Sequence, residues 1–256
     1  MRISIEPVSF DVIVEDIKSH VASLPGLVDS YVEEHVRDSN HYRLAVNSEP
    51  AGIGSIHQQC QVTQFVVRDG FRQYGQQLFY QLRKLEQVQS SIVPTYDDYY
   101  LAHAIDDAQQ VKPQSYFFHS VGELMLSAIG LHWSLQPATR DHAEFIKDMT
   151  GDFFDPIERY FDPGGLFLTM RGDECSGFGV MERSTLHPEV ASIGMFTIED
   201  HRRSGVGTAT ITLLRERCLQ QGLRATAGCW FYNHGSKRTL ERAGMVATSR
   251  LLRVSY

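Results

Sequence analysis

The sequence predicts a mixed α/β fold made of two domains in tandem. Its 256 residues are enough for one large or two small domains, and a 42% hydrophobic content can form real cores. The same order of elements, an apolar strand, a glycine-bearing turn and a helix, occurs at residues 61–88 and at 190–221. We therefore expect one domain over residues 1–120 and a second over 131–256, with a junction at 109–130.

The first half alternates helix and strand signals. Apolar residues first recur with helical spacing, and strand-like runs follow, two of them joined by a turn at residues 47–50. Helices are predicted at 12–23, 28–37, from the turn at 69–77 to about 88, and at 99–108, and strands at 41–46, 51–57, 61–67 and 91–94.

The second half shows the same kinds of signal. Thr139 is expected to cap a helix with acidic residues in its first turn. Strands are predicted at 131–135, 166–170, 177–182, 190–198 and 224–232, and a helix is predicted at 208–221.

The stretch from Arg202 to Gly207 reads Arg-Arg-Ser-Gly-Val-Gly and lies between a strand and a helix. The first N–H groups of a helix have no intrahelical partner, and the helix dipole adds partial positive charge there. Glycines at 205 and 207 remove the Cβ atoms that would keep a phosphate away from the backbone, and the two arginines add charge. The stretch therefore predicts an anion site.

Two nucleotide-binding motifs with a similar glycine-bearing turn do not fit these residues. A dinucleotide site needs a third glycine and a later acidic residue, but Thr210 and the pair Gln220 and Gln221 stand at those positions. No Gly-Lys-Ser/Thr follows, as a nucleotide P-loop requires. An ordinary surface turn before a helix remains the alternative.

A second motif follows the strand at 224–232, and it reads Asn233-x-x-Ser236, then Leu240 and Gly244. With the turn, it makes residues 131–256 resemble the acetyl-CoA-binding half of the GCN5-related N-acetyltransferase (GNAT) family. The resemblance implies a mostly antiparallel, twisted sheet flanked by helices in each domain. It also implies that the turn cradles the pyrophosphate of acetyl-CoA, that the Asn-x-x-Ser helix flanks the pantetheine arm, and that the central strand pairs with the pantetheine amides. The cofactor residues so implied are Met195, Phe196, Thr197, Arg202, Arg203, Ser204, Gly205, Val206, Gly207, Thr208, Asn233, Ser236 and Lys237, with Arg238 as a further cation near the phosphates.

The first half contains a degenerate version of the turn. Arg72-x-x-Gly75-x-Gln77 aligns with Arg202-x-x-Gly205-x-Gly207, but Gln77 carries a side chain where the second glycine would admit a phosphate. We interpret residues 1–120 as a second GNAT-like copy that has lost cofactor binding and serves as a scaffold or as a wall of the acceptor site. The alternative is two unrelated segments that share a generic order of elements.

The resemblance implies acyl transfer from acetyl-CoA to a primary amine. The amine must first lose a proton, and Glu189 is our first choice as the base, with His187 and Glu182 as alternatives. In the family a tyrosine seven positions after the asparagine protonates the departing thiolate, but that position here is Leu240. Tyr232 is the proposed general acid, with Tyr256 and Ser236 as alternatives.

Residues 148–165 interleave carboxylates with aromatic residues. In the resembling family this segment forms one side of the acceptor groove, and carboxylates beside aromatic rings suit a cationic amine. The carboxylates are Asp148, Asp152, Asp155, Glu158 and Asp162, and the aromatic residues are Phe153, Phe154, Tyr160 and Phe161. The alternative is a solvated acidic loop whose aromatic residues pack inward.

The composition of the chain limits the binding partners and the cellular compartment that we expect. The net charge of -7 disfavours nucleic acid and anionic membrane surfaces. Four scattered cysteines form no Cys-x-x-Cys pair, which argues against a zinc site or a disulfide framework. There is no signal segment or long apolar run, so we expect a cytoplasmic protein without a metal, and a homodimer is left open.

The sequence thus predicts an acetyl-CoA-dependent N-acetyltransferase acting on a small cationic amine. The alternatives are a protein or peptide N-acetyltransferase, and a non-catalytic module that binds acyl-CoA and regulates another process. The missing tyrosine at position 240 keeps the last alternative open.

Overall fold

A computed structural model describes residues 1–85, 87–120, 132–161 and 164–256 of the chain. The chain divides into two compact units. Unit 1 consists of residues 1–117 and 248–256, and unit 2 consists of residues 118–247. Three features expected from the sequence fall at least partly outside the described residues: the junction over 121–130, the start of a strand at Leu131, and Asp162.

Unit 1 contains most of the predicted elements of the first half and two further strands. Its strands are β1 (Ile3–Val8), β2 (Asn40–Val46), β3 (Glu49–His57), β4 (Gln61–Val67), β5 (Ser90–Pro94) and β6 (Gln110–Ser120), whose last residues belong to unit 2. Its helices are α1 (Phe10–Ser23), α2 (Ser30–Arg37), α3 (Gly75–Arg83) and α4 (Asp98–Ile105). A 3-10 helix, Asp69–Tyr74, leads into α3.

Several elements of unit 1 follow directly from local sequence. The buried residues Ile13, Ile17 and Val21 of α1 recur every four positions and form one apolar stripe. Asp29 caps α2 by accepting a hydrogen bond from the backbone N–H of Val32. The β2–β3 turn places Asn47 at φ 50° and Ser48 at φ 71°, and this left-handed backbone suits a tight hairpin.

The boundary between the two units, at 117/118, lies within the junction expected at 109–130, but residues 110–120 form the strand β6 and not a polar break. Residues 110–112 are exposed, whereas Phe117 and Phe118 are fully buried. Hydrogen bonds between backbones hold a strand in its sheet, so exposed polar side chains in the first half of β6 do not prevent it from forming.

Unit 2 repeats the order of strands and helices. Its strands are β7 (Ser134–Pro137), β8 (Leu166–Arg171), β9 (Glu174–Arg183), β10 (Val190–Thr197) and β11 (Arg224–Trp230). Its helices are α5 (Ala143–Thr150), α6 (Val206–Gln220) and α7 (His234–Arg242), and short 3-10 helices occupy 140–142, 151–154, 157–160 and 199–201. The sheet order is β11-β10-β9-β8-β7, antiparallel except for β10 with β11.

The final strand, β12 (Met245–Ser255), leaves unit 2 and enters unit 1. Residues Leu251–Ser255 pair antiparallel with Ser90–Pro94, which gives unit 1 the strand order β1-β2-β3-β4-β5-β12-β6. The expected second domain, 131–256, therefore differs from the observed unit at its end. Insertion of β12 covers an edge of β5 that would otherwise be open.

Candidate functional site

Strands β10 and β11 of unit 2 diverge. They pair in parallel at three positions, from Val190 with Arg224 to Ser192 with Thr226, and among the described residues the ladder ends there. Beyond this point the two strands enclose a cavity of about 900 Å³. Backbone groups on the facing edges are therefore placed to pair with an extended ligand that carries amides.

The cavity wall contains most of the residues expected to bind acetyl-CoA. Of the thirteen, eleven line the cavity, and they are Met195, Phe196, Thr197, Arg202, Arg203, Gly205, Val206, Gly207, Thr208, Asn233 and Ser236. Ser204 and Lys237 are absent from the described lining. Lys237 instead forms an ion pair of 3.0 Å with Glu241 along α7.

The turn before α6 has the geometry of an anion-binding loop. Arg203 and Gly205 adopt left-handed backbone conformations, with φ of 65° and 94°. The hydroxyl of Ser204 donates to the carbonyl oxygen of His201 at 2.6 Å, which holds the turn. The 15-residue α6 then begins at Val206, so its first N–H groups point out of the helix toward this loop.

Gly207 is closely approached by side chains of both α7 and β10. A Cβ atom built on Gly207 would lie 3.1 Å from Cγ2 of Thr239 and 3.3 Å from both Sδ of Met195 and Oγ1 of Thr197. The first turn of α6 therefore approaches both β10 and α7. A longer side chain at position 207 would enter the cavity.

Helix α7 supplies the opposite wall. The side chain of Asn233 caps it by accepting a 3.0 Å hydrogen bond from the backbone N–H of Ser236. The cavity is also lined by residues that the sequence did not single out, among them Cys229, Trp230, Thr239 and Arg242, and by Phe153, which was expected beside the acceptor amine. The i, i+4 spacing of Arg238 and Arg242 on α7 could have indicated Arg242 from the sequence. No sequence pattern indicated Trp230, which is 61% exposed.

The two residues proposed as acid and base lie outside the cavity wall. Glu189 is exposed just before β10, and its carbonyl oxygen accepts a 2.7 Å bond from the N–H of Arg224. Tyr232 is 55% exposed, with its ring 5.2 Å from that of Trp230. Leu240, at the usual tyrosine position, lines the cavity and is 2% exposed.

The alternative candidates for the general acid and base lie in different parts of the structure. Ser236 lines the cavity, whereas Tyr256 packs in unit 1, where burial raises its pKa to about 12 and its hydroxyl lies 2.7 Å from that of Ser91. His187 is not among the lining residues. Glu182 of β9 stands opposite Ser192, the last residue of β10 that pairs with β11, and lies 3.7 Å from Arg159.

The segment 148–161 matches the inward-packing interpretation in most of its residues. Asp148, Asp152 and Asp155 are exposed, and Glu158 lies 3.6 Å from Lys147. Phe154 and Tyr160 are buried in the core of unit 2. Phe153 differs, because it is 59% exposed, lines the cavity and lies 5.1 Å from the ring of Phe196.

The corresponding place in unit 1 is filled. Among the described residues, strands β4 and β5 pair in parallel at two positions, Gln61 with Ser90 and Val62 with Ser91. At the end of this ladder the hydroxyl of Tyr100 donates to the carbonyl oxygen of Val62 at 2.9 Å. Tyr100 is 1% exposed, and this burial raises the pKa of its hydroxyl.

The turn of unit 1 also differs from its counterpart. Gly75 is right-handed, with φ of -54°, and the 3-10 helix runs directly into α3. A Cβ on Gly75 would overlap Oη of Tyr99 and Nε2 of His103. The hydroxyl of Tyr99 donates to the carbonyl oxygen of Arg72 at 2.8 Å, so α4 packs where an anion would have to lie.

Two family models match the chain. A GNAT acetyltransferase domain matches residues 9–121, and the GNAT acetyltransferase family matches residues 129–245. The two matches together take in most of the chain, so both halves carry a GNAT domain. No curated protein sequence matches the chain significantly, and no helix among the described residues is long and apolar enough to span a membrane.

Solved structures share the fold along the whole chain. A GNAT-family acetyltransferase from Colwellia psychrerythraea is 17% identical with a TM-score of 0.89, and the match covers 99% of each chain. A tandem GNAT protein from the clavulanic acid biosynthesis pathway is 11% identical with a TM-score of 0.65, over 100% of this chain and 98% of that one. A GNAT protein from Sphaerobacter thermophilus is 12% identical with a TM-score of 0.61, over 99% and 95%. The tandem mixed α/β architecture expected from the sequence is confirmed.

Proposed function

Because this chain belongs to the GNAT acetyltransferase family, we propose that unit 2 binds acetyl-CoA in its cavity and transfers the acetyl group to a primary amine. Unit 1, in which Tyr100 occupies the space between β4 and β5, acts as a scaffold. The acceptor we propose is a small cationic amine. A peptide or protein amine is the alternative acceptor, and the mass of the acetylated product distinguishes the two.

The charge of the cavity wall is the observation that supports this proposal most directly. The described lining residues include four arginines and no aspartate or glutamate. This contrasts with the whole chain, which has 31 acidic against 24 basic residues and a net charge of -7. A wall of this kind favours a polyanionic ligand, and acetyl-CoA is one.

The geometry supports a specific placement of the donor. The N–H groups at the start of α6, together with Arg202 and Arg203, suit the pyrophosphate. The edge of β10 at Met195–Thr197, which is not paired with β11, suits the amides of the pantetheine arm. The thioester would then lie toward Ser192, where the strands converge.

We propose Glu182 as the proton acceptor for the amine, in place of Glu189. Glu182 faces the same side of the sheet as Ser192 and Phe196, because directly paired antiparallel residues share a face. Its side chain is 28% exposed, and its carboxylate lies 3.7 Å from the guanidinium of Arg159. A carboxylate there can take the proton that the ammonium must lose.

No tyrosine is available at position 240 to protonate the departing thiolate. Ser236, a lining residue, is the nearest of the original candidates to the cavity. The buried Leu240 also supports a second candidate function, a module that binds acyl-CoA without turnover. That candidate predicts tight binding and no release of thiol in the presence of any amine.

The test is thiol release from acetyl-CoA across a panel of small amines and peptides, with products identified by mass. Glu182→Gln should lower kcat by about 10²- to 10⁴-fold and leave acetyl-CoA affinity unchanged. Glu189→Gln is the matched control and should keep activity. Equal loss in both variants would contradict the assignment of Glu182.

A further inference from the structure

The four arginines of the cavity wall fall into two groups. Arg202 and Arg203 belong to the turn before α6, whereas Arg238 and Arg242 project from α7. We refer to Arg238 and Arg242 as the α7 pair. The proposed placement of the pyrophosphate at the turn does not use the α7 pair.

The α7 pair is a concentrated positive charge. The two residues are spaced i, i+4, so their Cβ atoms lie about 5–6 Å apart on one face of the helix. Both are exposed, and among the described residues neither has a carboxylate partner. Lys237, next to Arg238 in sequence, does have one, because it pairs with Glu241 at 3.0 Å. Like charges at this spacing repel each other unless an anion binds between them.

The α7 pair lies close to the turn. Thr239, which shares the cavity-facing side of α7 with Arg238 and Arg242, has its Cγ2 only 3.1 Å from the Cβ position of Gly207. Two groups of positive charge, one on the turn and one on α7, therefore line neighbouring parts of the cavity wall. Coenzyme A carries two phosphate groups of this kind on one nucleotide, the pyrophosphate and the 3′-phosphate of the ribose.

We propose that the α7 pair binds the 3′-phosphate of coenzyme A and thereby selects the donor. This inference rests on the proposed function. Two guanidinium groups can hold a dianionic phosphate by charge-assisted hydrogen bonds. Unit 2 would then discriminate against 3′-dephospho-coenzyme A, and against thioesters on the phosphopantetheine arm of a carrier protein, which has no nucleotide.

The experiment compares binding of coenzyme A and 3′-dephospho-coenzyme A by calorimetry. The wild-type protein should bind the dephosphorylated form about 10- to 100-fold more weakly. The variant Arg238→Gln/Arg242→Gln should weaken binding of coenzyme A by a similar factor and leave binding of the dephosphorylated form almost unchanged. Arg224→Gln, at an exposed arginine of unit 2 outside the cavity lining, is the control that also removes a positive charge, and it should preserve the wild-type ratio.

The outcomes separate this inference from the proposed function. Equal affinities of the wild-type protein for the two ligands would overturn the role of the α7 pair and leave the acetyl-CoA site standing. Equal weakening of both ligands in the double variant would also overturn it. Failure of either ligand to bind the wild-type protein would overturn the proposed function itself.

Discussion

The hydroxyl of Tyr100 donates a 2.9 Å hydrogen bond to the carbonyl oxygen of Val62, the last residue of β4 that pairs with β5. The corresponding last paired residue of unit 2 is Ser192, beyond which the strands enclose an open cavity. A side chain from α4 thus occupies in unit 1 the gap that unit 2 leaves for a ligand. This difference, together with the packing of Tyr99 and His103 on the turn of unit 1, supports separate roles for the two units.

Replacement of Tyr100 with phenylalanine should therefore weaken unit 1. The substitution leaves the carbonyl of Val62 without its partner in a buried place and should cost about 1–3 kcal/mol of unfolding free energy. The measurement is urea unfolding. Tyr80→Phe, at a side chain 48% exposed, is the control and should stay within about 0.5 kcal/mol of the wild-type protein.

Gly207→Gln should abolish acetyl-CoA binding and leave the fold intact. The new side chain would enter the cavity between Thr239 and Met195, where a Cβ is already in close contact. The reciprocal variant Gln77→Gly should not create a second site, because Tyr99 and His103 still pack on the turn of unit 1. Calorimetry measures both variants, and unchanged affinity in Gly207→Gln would refute the pyrophosphate assignment.

Replacement of Arg215 with methionine should destabilise unit 2. This side chain of α6 is 5% exposed, donates to the hydroxyl of Ser120 from two nitrogens at 3.0 and 2.9 Å, and donates to the carbonyl oxygen of Ala243 at the end of α7. Loss of these bonds leaves buried acceptors unsatisfied and should cost about 2–4 kcal/mol. Thermal unfolding measures the change, with Leu219→Ala, 65% exposed on the same helix, as the control.

Unit 1 should lose stability as the pH falls below about 6.5. Burial lowers the pKa of His41 in the folded protein, so the unfolded chain binds protons more readily than the folded chain in this range. The stabilising contribution is therefore complete above the ordinary histidine pKa and declines as the pH drops through it. Urea midpoints between pH 8 and pH 5 measure the slope.

His41→Gln should make that slope shallower, whereas His234→Gln, at an exposed residue, should leave it unchanged. An equal slope in wild-type protein and His41→Gln would exclude His41 as its cause. The ring of His41 also lies 2.9 Å from the hydroxyl of Ser55, so the variant should be somewhat less stable at every pH.

The elements that depend on local sequence were predictable. The turn from Arg202 to Gly207, the helix after it and the hairpin at 47–48 follow from glycine positions, capping residues and apolar spacing. The degenerate glycine pattern at Gln77 also indicated that the two copies differ, although Tyr99 and Tyr100 of α4 are what fill the space in unit 1.

Features that depend on distant residues were not predictable. The divergence of β10 and β11 and the pairing of Leu251–Ser255 with Ser90–Pro94 join segments far apart in sequence, and no local pattern encodes them. For the same reason, the sequence showed that Glu189 lies at the start of β10, but it did not show that the cavity opens at the other end of that strand. Glu182 became the better candidate only through its register with Ser192.

The number of acetyl-CoA molecules bound per chain tests the central claim most directly. Calorimetric titration of the full chain should give one site, which Gly207→Gln removes and Tyr100→Phe preserves. Two sites per chain would contradict the account, because unit 1 would then bind the donor despite Tyr100 and the packing of Gly75. No binding at all would contradict the assignment of the unit 2 cavity.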